Sequence, residues 1–288
     1  MNACLAPRKM LGFTLMEMIV VIVITGIIAS VVAVFIRSPI QGYLDTVRRS
    51  EMTDTADNAL RRIGRDLRLA LPNSVRVQTV GNLRGLEFLL TRSGGRYRAG
   101  CVDAVNGDPL TFGDASAYPC ETIAKASTFD VLGPPVAVNV NDAIAIFNLG
   151  IPGADAYAGD TLRTYNGAGG SVSSIGYTGG QFPFASPGNR FQVVQGTVSY
   201  VCDPLPGTGQ LNRYAGYART AAQTVPPAGG AATLLAENVS GCEFTYDPSV
   251  LAQRAGLVTM TLTIRRANMA GSNESVTLYH TVHVSNVP

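Results

Sequence analysis

A single carboxylate, Glu17, interrupts an otherwise uncharged run from Phe13 to Ile36, FTLMEMIVVIVITGIIASVVAVFI. An unpaired carboxylate in a membrane helix costs on the order of 3 kcal/mol, so such a residue has a partner or a function. Four residues before it stands the Gly12–Phe13 bond. Cutting there would leave a new amine on Phe13. An acid near that end could neutralise the amine of a neighbouring copy and so set the axial stagger of stacked helices. The plainer alternative places Glu17 in the headgroup region.

Other residue types offer less chemistry. There are five cysteines, Cys4, Cys101, Cys120, Cys202 and Cys242, with no C-x-x-C pair, and only two histidines. That pattern favours disulfides in an oxidising compartment over a zinc site. Setting Cys4 aside with the N-terminal segment leaves four, which allow three pairings. Cys101–Cys120 and Cys202–Cys242 are expected because each closes a loop within its own region. His280 and His283 lie three apart on a predicted strand, so their side chains leave opposite faces and make poor joint ligands. Asp103, Asp108 and Asp114 share a Gly-containing loop and could offer oxygens to calcium, but without the EF-hand spacing. Loop solvation explains them better. G-x-S-x-G, H-E-x-x-H and G-x-x-x-x-G-K-[ST] are all missing, and no acid pair stands out for glycoside hydrolysis. Asn238-Val-Ser and Asn273-Glu-Ser match the glycosylation sequon by chance if the host is bacterial. The expectation is a protein without catalysis, cofactor or metal.

Those residues need elements to hold them. The run from Phe13 to Ile36 reaches roughly 36 Å as a helix, enough to cross about 30 Å of hydrocarbon. It is too long for a signal-peptide core, and no A-x-A-like site follows it. Arg8 and Lys9 before it, with Asp45 and Glu51 after it, place the N-terminus in the cytoplasm. Taking Arg8 and Lys9 from the 22 basic residues leaves 20 against 20 acidic. A near-neutral body argues against general nucleic-acid binding.

Gly26 could loosen the membrane helix locally, and Pro39 is expected to kink the helix or divide it in two. Residues 37–71 then read as an amphipathic helix ending before Pro72. Leu44, Val47, Met52, Ala56, Leu60, Ile63, Leu67 and Ala70 form its apolar stripe. Asp45/Arg49, Asp57/Arg61 and Arg62/Asp66 are candidate i,i+4 pairs. Arg61, Arg62, Arg65 and Arg68 read first as a solvated face, with lipid headgroups or nucleic acid as alternatives. Beyond Pro72 the period changes to two. VRVQTV, GLEFLLT, AIAIFNL, RFQVVQGTVSYVC, NRYAGY, LVTMTLTIRRA and SVTLYHTVHVSNV are strand-like. Residues 150–189 are rich in Gly, Ser and Tyr and are expected to be an exposed loop or spacer. The fold class is therefore α+β: a long N-terminal transmembrane and amphipathic helix packed on an antiparallel β body, residues 72–288.

The string R-K-M-L-G-F-T-L-M-E, residues 8–17, resembles the type III signal of type IV prepilins and type II secretion pseudopilins. Met16 departs from the isoleucine more usual in that family, a swap that tolerates the volume. The resemblance implies that residues 1–12 are a leader, that a prepilin peptidase cuts between Gly12 and Phe13, and that the same enzyme methylates Phe13. It gives Glu17 the family's assembly acid and names as partners the other major and minor pilins and an inner-membrane assembly platform. The chain would begin as a single-pass bacterial inner-membrane protein with a periplasmic body, then enter a pilus or pseudopilus.

From about Gly12 to Val77 the sequence resembles a narrower group, the MshO-type minor pilins of the mannose-sensitive haemagglutinin (MSHA) pilus, relatives of J-type pseudopilins. Weaker echoes occur in NRFQVVQGTVSYVC and LLAENVSGCEFTY. A body this large suits a scarce tip or priming subunit of the family better than its repeating one. The alternatives are a tip adhesin or ligand-binding minor pilin acting through residues 150–190, a type II secretion pseudopilin, or, least favoured, a membrane-anchored periplasmic enzyme.

Overall fold

The computed structural model describes residues 12–100, 107–112, 127–248, 255–267 and 271–288. It begins with one helix, α1, Leu15–Leu67, which contains Pro39 without a break into two elements. Thr14 caps it: the Thr14 hydroxyl accepts from the Glu17 N–H, and the Glu17 carboxylate accepts from the Thr14 N–H at 3.3 Å. This T-x-x-E box satisfies two of the donors that a helix start leaves unpaired. Glu17 also sits where the helix dipole favours negative charge.

Burial divides α1 sharply. No described side chain from Leu15 to Glu51 is buried, whereas Met52, Ala56, Ala59, Leu60, Ile63 and Leu67 are. The expected stripe therefore engages the body only from Met52 onward; Leu44 is half-buried and Val47 exposed. The helix also stops before Pro72, because the chain at Leu69–Leu71 peels away to pair with a strand. The Leu71 N–H donates to Leu89 O at 2.7 Å, and the Thr91 N–H to Leu69 O at 2.8 Å.

Among the described residues fourteen strands follow. They are β1 Arg76–Val80, β2 Leu83–Tyr97, β3 Thr128–Leu132, β4 Val136–Val138, β5 Ala143–Ala145, β6 Leu162–Tyr165 and β7 Gly170–Val172. The rest are β8 Ser174–Thr178, β9 Arg190–Asp203, β10 Gln210–Ala215, β11 Ala231–Glu237, β12 Val239–Asp247, β13 Ala255–Ala267 and β14 Asn273–Ser285. Nine form one sheet, β12-β13-β14 a second, and β4 and β7 a small third, all antiparallel.

Within the large sheet β2 pairs both β3 and β9, while β3, β8, β6, β5 and β9 are joined in turn. These six strands close on themselves. Their interior is aromatic: Tyr97, Phe129, Tyr177, Phe182 and Phe191 are buried, with Phe129 and Phe191 edge to face at 5.2 Å between centroids. Such contacts add about 0.5–1.5 kcal/mol beyond area burial. No α1 residue belongs to this core. The helix instead packs into a second core with Leu86, Phe88 and Leu90 of β2, Val198 and Tyr200 of β9, and the inner faces of β12, β13 and β14. The long strands β2 and β9 thus run through both.

The stretch 150–189, expected as an exposed loop or a spacer, supplies strands of the body, β6, β7 and β8. It buries Ala156, Tyr157, Leu162, Tyr165, Ile175, Tyr177 and Phe182. Its apolar residues are separated by glycines and serines, so the period-two signal is diluted over strands of three to five residues.

Candidate functional site, the N-terminal segment

Gly12 and Phe13 precede the first helical turn, and both are exposed. Phe13 keeps 81 % of its surface, and a side-chain carbon placed on Gly12 would meet no atom within 4 Å. The Gly12–Phe13 peptide is sterically open from this side. Residues 1–11, including Cys4, Arg8 and Lys9, lie outside the described residues.

The helix beyond is long and apolar enough to cross a membrane, and none of its apolar window is buried in the body. Leu15–Ile36 spans roughly 33 Å and the segment 37–51 a further 22 Å or so. The hydroxyls of Thr25 and Ser30 do not stand unpaired in this run. They donate to the carbonyls of Val21 at 2.6 Å and Ile27 at 2.8 Å. Glu17 is therefore the one formal charge in it. The expected partner of the Glu17 carboxylate is the amine of a neighbouring copy; within the chain its hydrogen bonds lie three residues away in Thr14. The T-x-x-E spacing was the signal that could have found them.

The segment outside the span is tied to the body by ions. Arg49 pairs with Glu274 of β14, and Glu51 accepts from Arg266 of β13 at 3.4 Å. Of the expected helix pairs only Asp57–Arg61 forms, at 2.6 Å. Asp45 faces Arg48 instead, at 3.7 Å. Asp66 turns away from Arg62 to accept from Arg213 Nε at 2.8 Å and the Tyr200 hydroxyl at 2.6 Å, because both lie on strands packed against the helix end.

A buried charge cluster had no sequence signal. Glu87, 1 % exposed on β2, takes Arg76 Nε at 2.8 Å and the hydroxyls of Ser199 and Tyr217 at 3.0 Å each. Arg76 stacks over the Tyr157 ring at 3.5 Å and also donates to the carbonyls of Thr220 and Ala221. Burial, and then the Glu87 charge, push the Tyr157 hydroxyl well above its ordinary value. The carboxylate is matched by a cation and two hydroxyls, so the cluster holds the segment 216–221 against the sheet rather than awaiting a substrate.

Cys202 and Cys242 form a disulfide that joins β9 to β12. Cys101 and Cys120 lie outside the described residues, as do Asp103 and Asp114. Asp108 accepts from the Thr128 hydroxyl. His280 faces α1 and His283 faces the other way, so they are not brought together. Among the described residues no three His, Cys, Asp or Glu side chains gather in a metal-binding arrangement.

The family model described as the prokaryotic N-terminal methylation motif matches residues 7–33. No curated protein and no solved structure matches the chain. The motif supports the class of type IV prepilins and pseudopilins in general. It implies processing by a prepilin peptidase and assembly with other pilins. The single apolar N-terminal helix is compatible with a single-pass, membrane-anchored protein.

Proposed function

We propose that this chain is a minor pilin that initiates or caps a type IV pilus of the MSHA kind. The observation that carries the reading is a coincidence of position. The methylation motif at residues 7–33 overlaps the exposed, apolar part of a helix whose other end is packed into a β body. In this reading prepilin peptidase cuts after Gly12 and methylates Phe13, and the bilayer holds residues 13–36. The machinery then lifts the subunit into a bundle of pilin helices. The Glu17 carboxylate, at the free end of the helix, meets the Phe13 amine of a neighbour and fixes the stagger. The protein is a substrate of the peptidase and has no reaction of its own.

Intact mass of the chain expressed with and without a prepilin peptidase tests this. Loss of residues 1–12 together with one added methyl group is the expected result. An uncut chain, beside a control prepilin that is processed, overturns it and leaves a signal-anchored protein.

A second reading, a tip adhesin or ligand-binding minor pilin, is favoured by the six-strand closed unit, whose core contains no helix residue. Residues 150–189 supply β6 and β8 of that unit. Replacing its surface residues should then abolish attachment and leave fibres normal; loss of fibres would count against it. A type II secretion pseudopilin would share every feature above and differ in its neighbouring genes.

A further inference from the structure

The sheet edges are unequal. β1 has five residues, and β11 has seven and meets β10 through a bulge between Leu211 and Asn212. β12 carries a register shift between Val239 and Gly241 and is stitched to β9 by the disulfide. By contrast β14 pairs with β13 residue for residue, from Ala255↔Ser285 to Ala267↔Asn273, without a shift. Among the described residues nothing pairs with its other side. It contains no proline and no lysine. A long, regular, unprotected edge presents a row of N–H and C=O groups to any extended chain.

Alongside that edge runs α1. Arg49 meets Glu274 near one end of the contact, and Gly64 meets His280 and Val282 further on. Fifteen helical residues rise about 22 Å and seven strand residues about 23 Å, so helix and strand run side by side in the same direction. A groove of about 370 Å³ lies between them, lined by Asn58, Arg61, Gly64, Arg65, Arg68 and His280. Gly64 permits the close approach, since a side-chain carbon there would sit 3.1 Å from His280 Nε2.

The groove is basic. Arg61, Arg65 and Arg68 follow at i, i+4 and i+7 on one helix face. The carboxylates nearest on α1 are Asp57 and Asp66; Arg61 already holds Asp57, and Asp66 is turned to Arg213 and Tyr200 on the other face. From β14 comes His280 but no acid, because Glu274 is engaged by Arg49. Arg65 and Arg68 have no carboxylate partner among the described residues. We propose that this groove docks an extended, acidic segment of another polypeptide, which adds as a strand to β14 and sets its carboxylates against Arg61, Arg65 and Arg68. Side chains on one face of a strand recur about every 6.6 Å. The three arginines are separated along the helix by about 6.0 and 4.5 Å. Acids at every second position keep within about 3 Å of the three arginine levels, a mismatch that the long arginine side chains span. The backbone edge supplies affinity and the arginine row supplies selection. The site is used whether or not the Gly12–Phe13 bond is cut, since neither residue lines it.

The test uses the full chain in detergent micelles and a labelled eight-residue peptide of alternating Glu and Val. Lys-Val peptide of the same length and duplex DNA serve as comparisons. The Glu-Val peptide is expected to bind, with slowed hydrogen exchange at the β14 amides, and the Lys-Val peptide is not. Arg65→Glu with Arg68→Glu, both at exposed positions, should weaken binding about tenfold or more. Equal binding of both peptides, or binding that the double variant leaves unchanged, overturns the proposal. So does binding without protection of β14. DNA that displaces the peptide and binds as tightly also overturns it, by showing that the groove reads charge alone.

Discussion

Glu17 has two jobs available to it, and one substitution separates them. As part of the capping box its carboxylate accepts from the Thr14 N–H; as an assembly acid it needs its charge. Glu17→Gln keeps a side-chain oxygen for the cap and removes the charge. Cleavage and helix content should therefore persist while fibre yield in electron micrographs falls. Normal fibres would assign Glu17 to the cap alone. Glu87 is a different case, a charge buried with its partners in place. Glu87→Ala strands Arg76 and the two hydroxyls, at a cost of about 3 kcal/mol read from the urea midpoint. Burial also raises the hydroxyls of Tyr157, Tyr200 and Tyr217, with the carboxylates of Glu87 or Asp66 adding to it. Their folded values lie above the unfolded one. The stability they contribute is thus full below about pH 10 and is lost as pH rises toward the folded values. In an alkaline titration their phenolate absorbance should grow only as the far-UV dichroism disappears; early ionisation of all 11 tyrosines would contradict this. The T-x-x-E spacing marks the Glu17 cap, but nothing in the sequence marks the partners of Glu87 and Asp66. Asp66 reaches Arg213 across 147 positions, and Ser199 reaches Glu87 across 112, so no local spacing announces them.

Periodicity revealed far more about helices and strands than about contacts. The stripe from Met52 to Leu67 and the alternation in LVTMTLTIRRA each mark a face that the body buries. Where strands are three to five residues long and spaced by glycine, as in β6 to β8, the signal fell below recognition. Connections carry constraints of their own. In the turn between β9 and β10, a side-chain carbon on Gly209 would lie 1.9 Å from Val239 O and 2.6 Å from Leu205 N, both backbone atoms. Gly209→Ala must move one strand, and a loss of about 1–3 kcal/mol in urea unfolding is expected. Replacing Gly26, which has nothing within 4 Å, by Ala serves as the neutral control. The Cys202–Cys242 bond closes a separation of 40 residues between two sheets. On chain-entropy grounds, opening it by the paired Cys→Ser change lowers stability by about 4 kcal/mol.

The two cores could unfold separately, as the helix-free, six-strand unit has an apolar interior of its own. Strand continuity argues otherwise. β2 lends Leu86, Phe88 and Leu90 to the helix-bearing core and Tyr97 to the aromatic one, and β9 lends Val198 and Tyr200 to the first and Phe191 and Val193 to the second. Their pairing runs from Arg84↔Cys202 to Arg96↔Arg190, so neither core can open without freeing half of the ladder that supports the other. The buried arginine–glutamate cluster lies on the same strand pair and ties the segment 216–221 across it. The body should therefore unfold in one transition, with far-UV and tyrosine near-UV dichroism giving coincident urea curves. Hydrogen exchange should be slowest at Leu86–Leu90 and Val198–Cys202, where the shared strands meet the helix. Two separated transitions, with the aromatic signal lost first, would instead make the six-strand unit an independently folding insertion. The part of α1 that lies before the ion pairs of Arg49 and Glu51, residues 15–43, would take no part in either transition, because every described side chain in it is exposed. Its stability must come from the bilayer or from other helices, and its amides should exchange quickly in the body's native state unless one of those surrounds them.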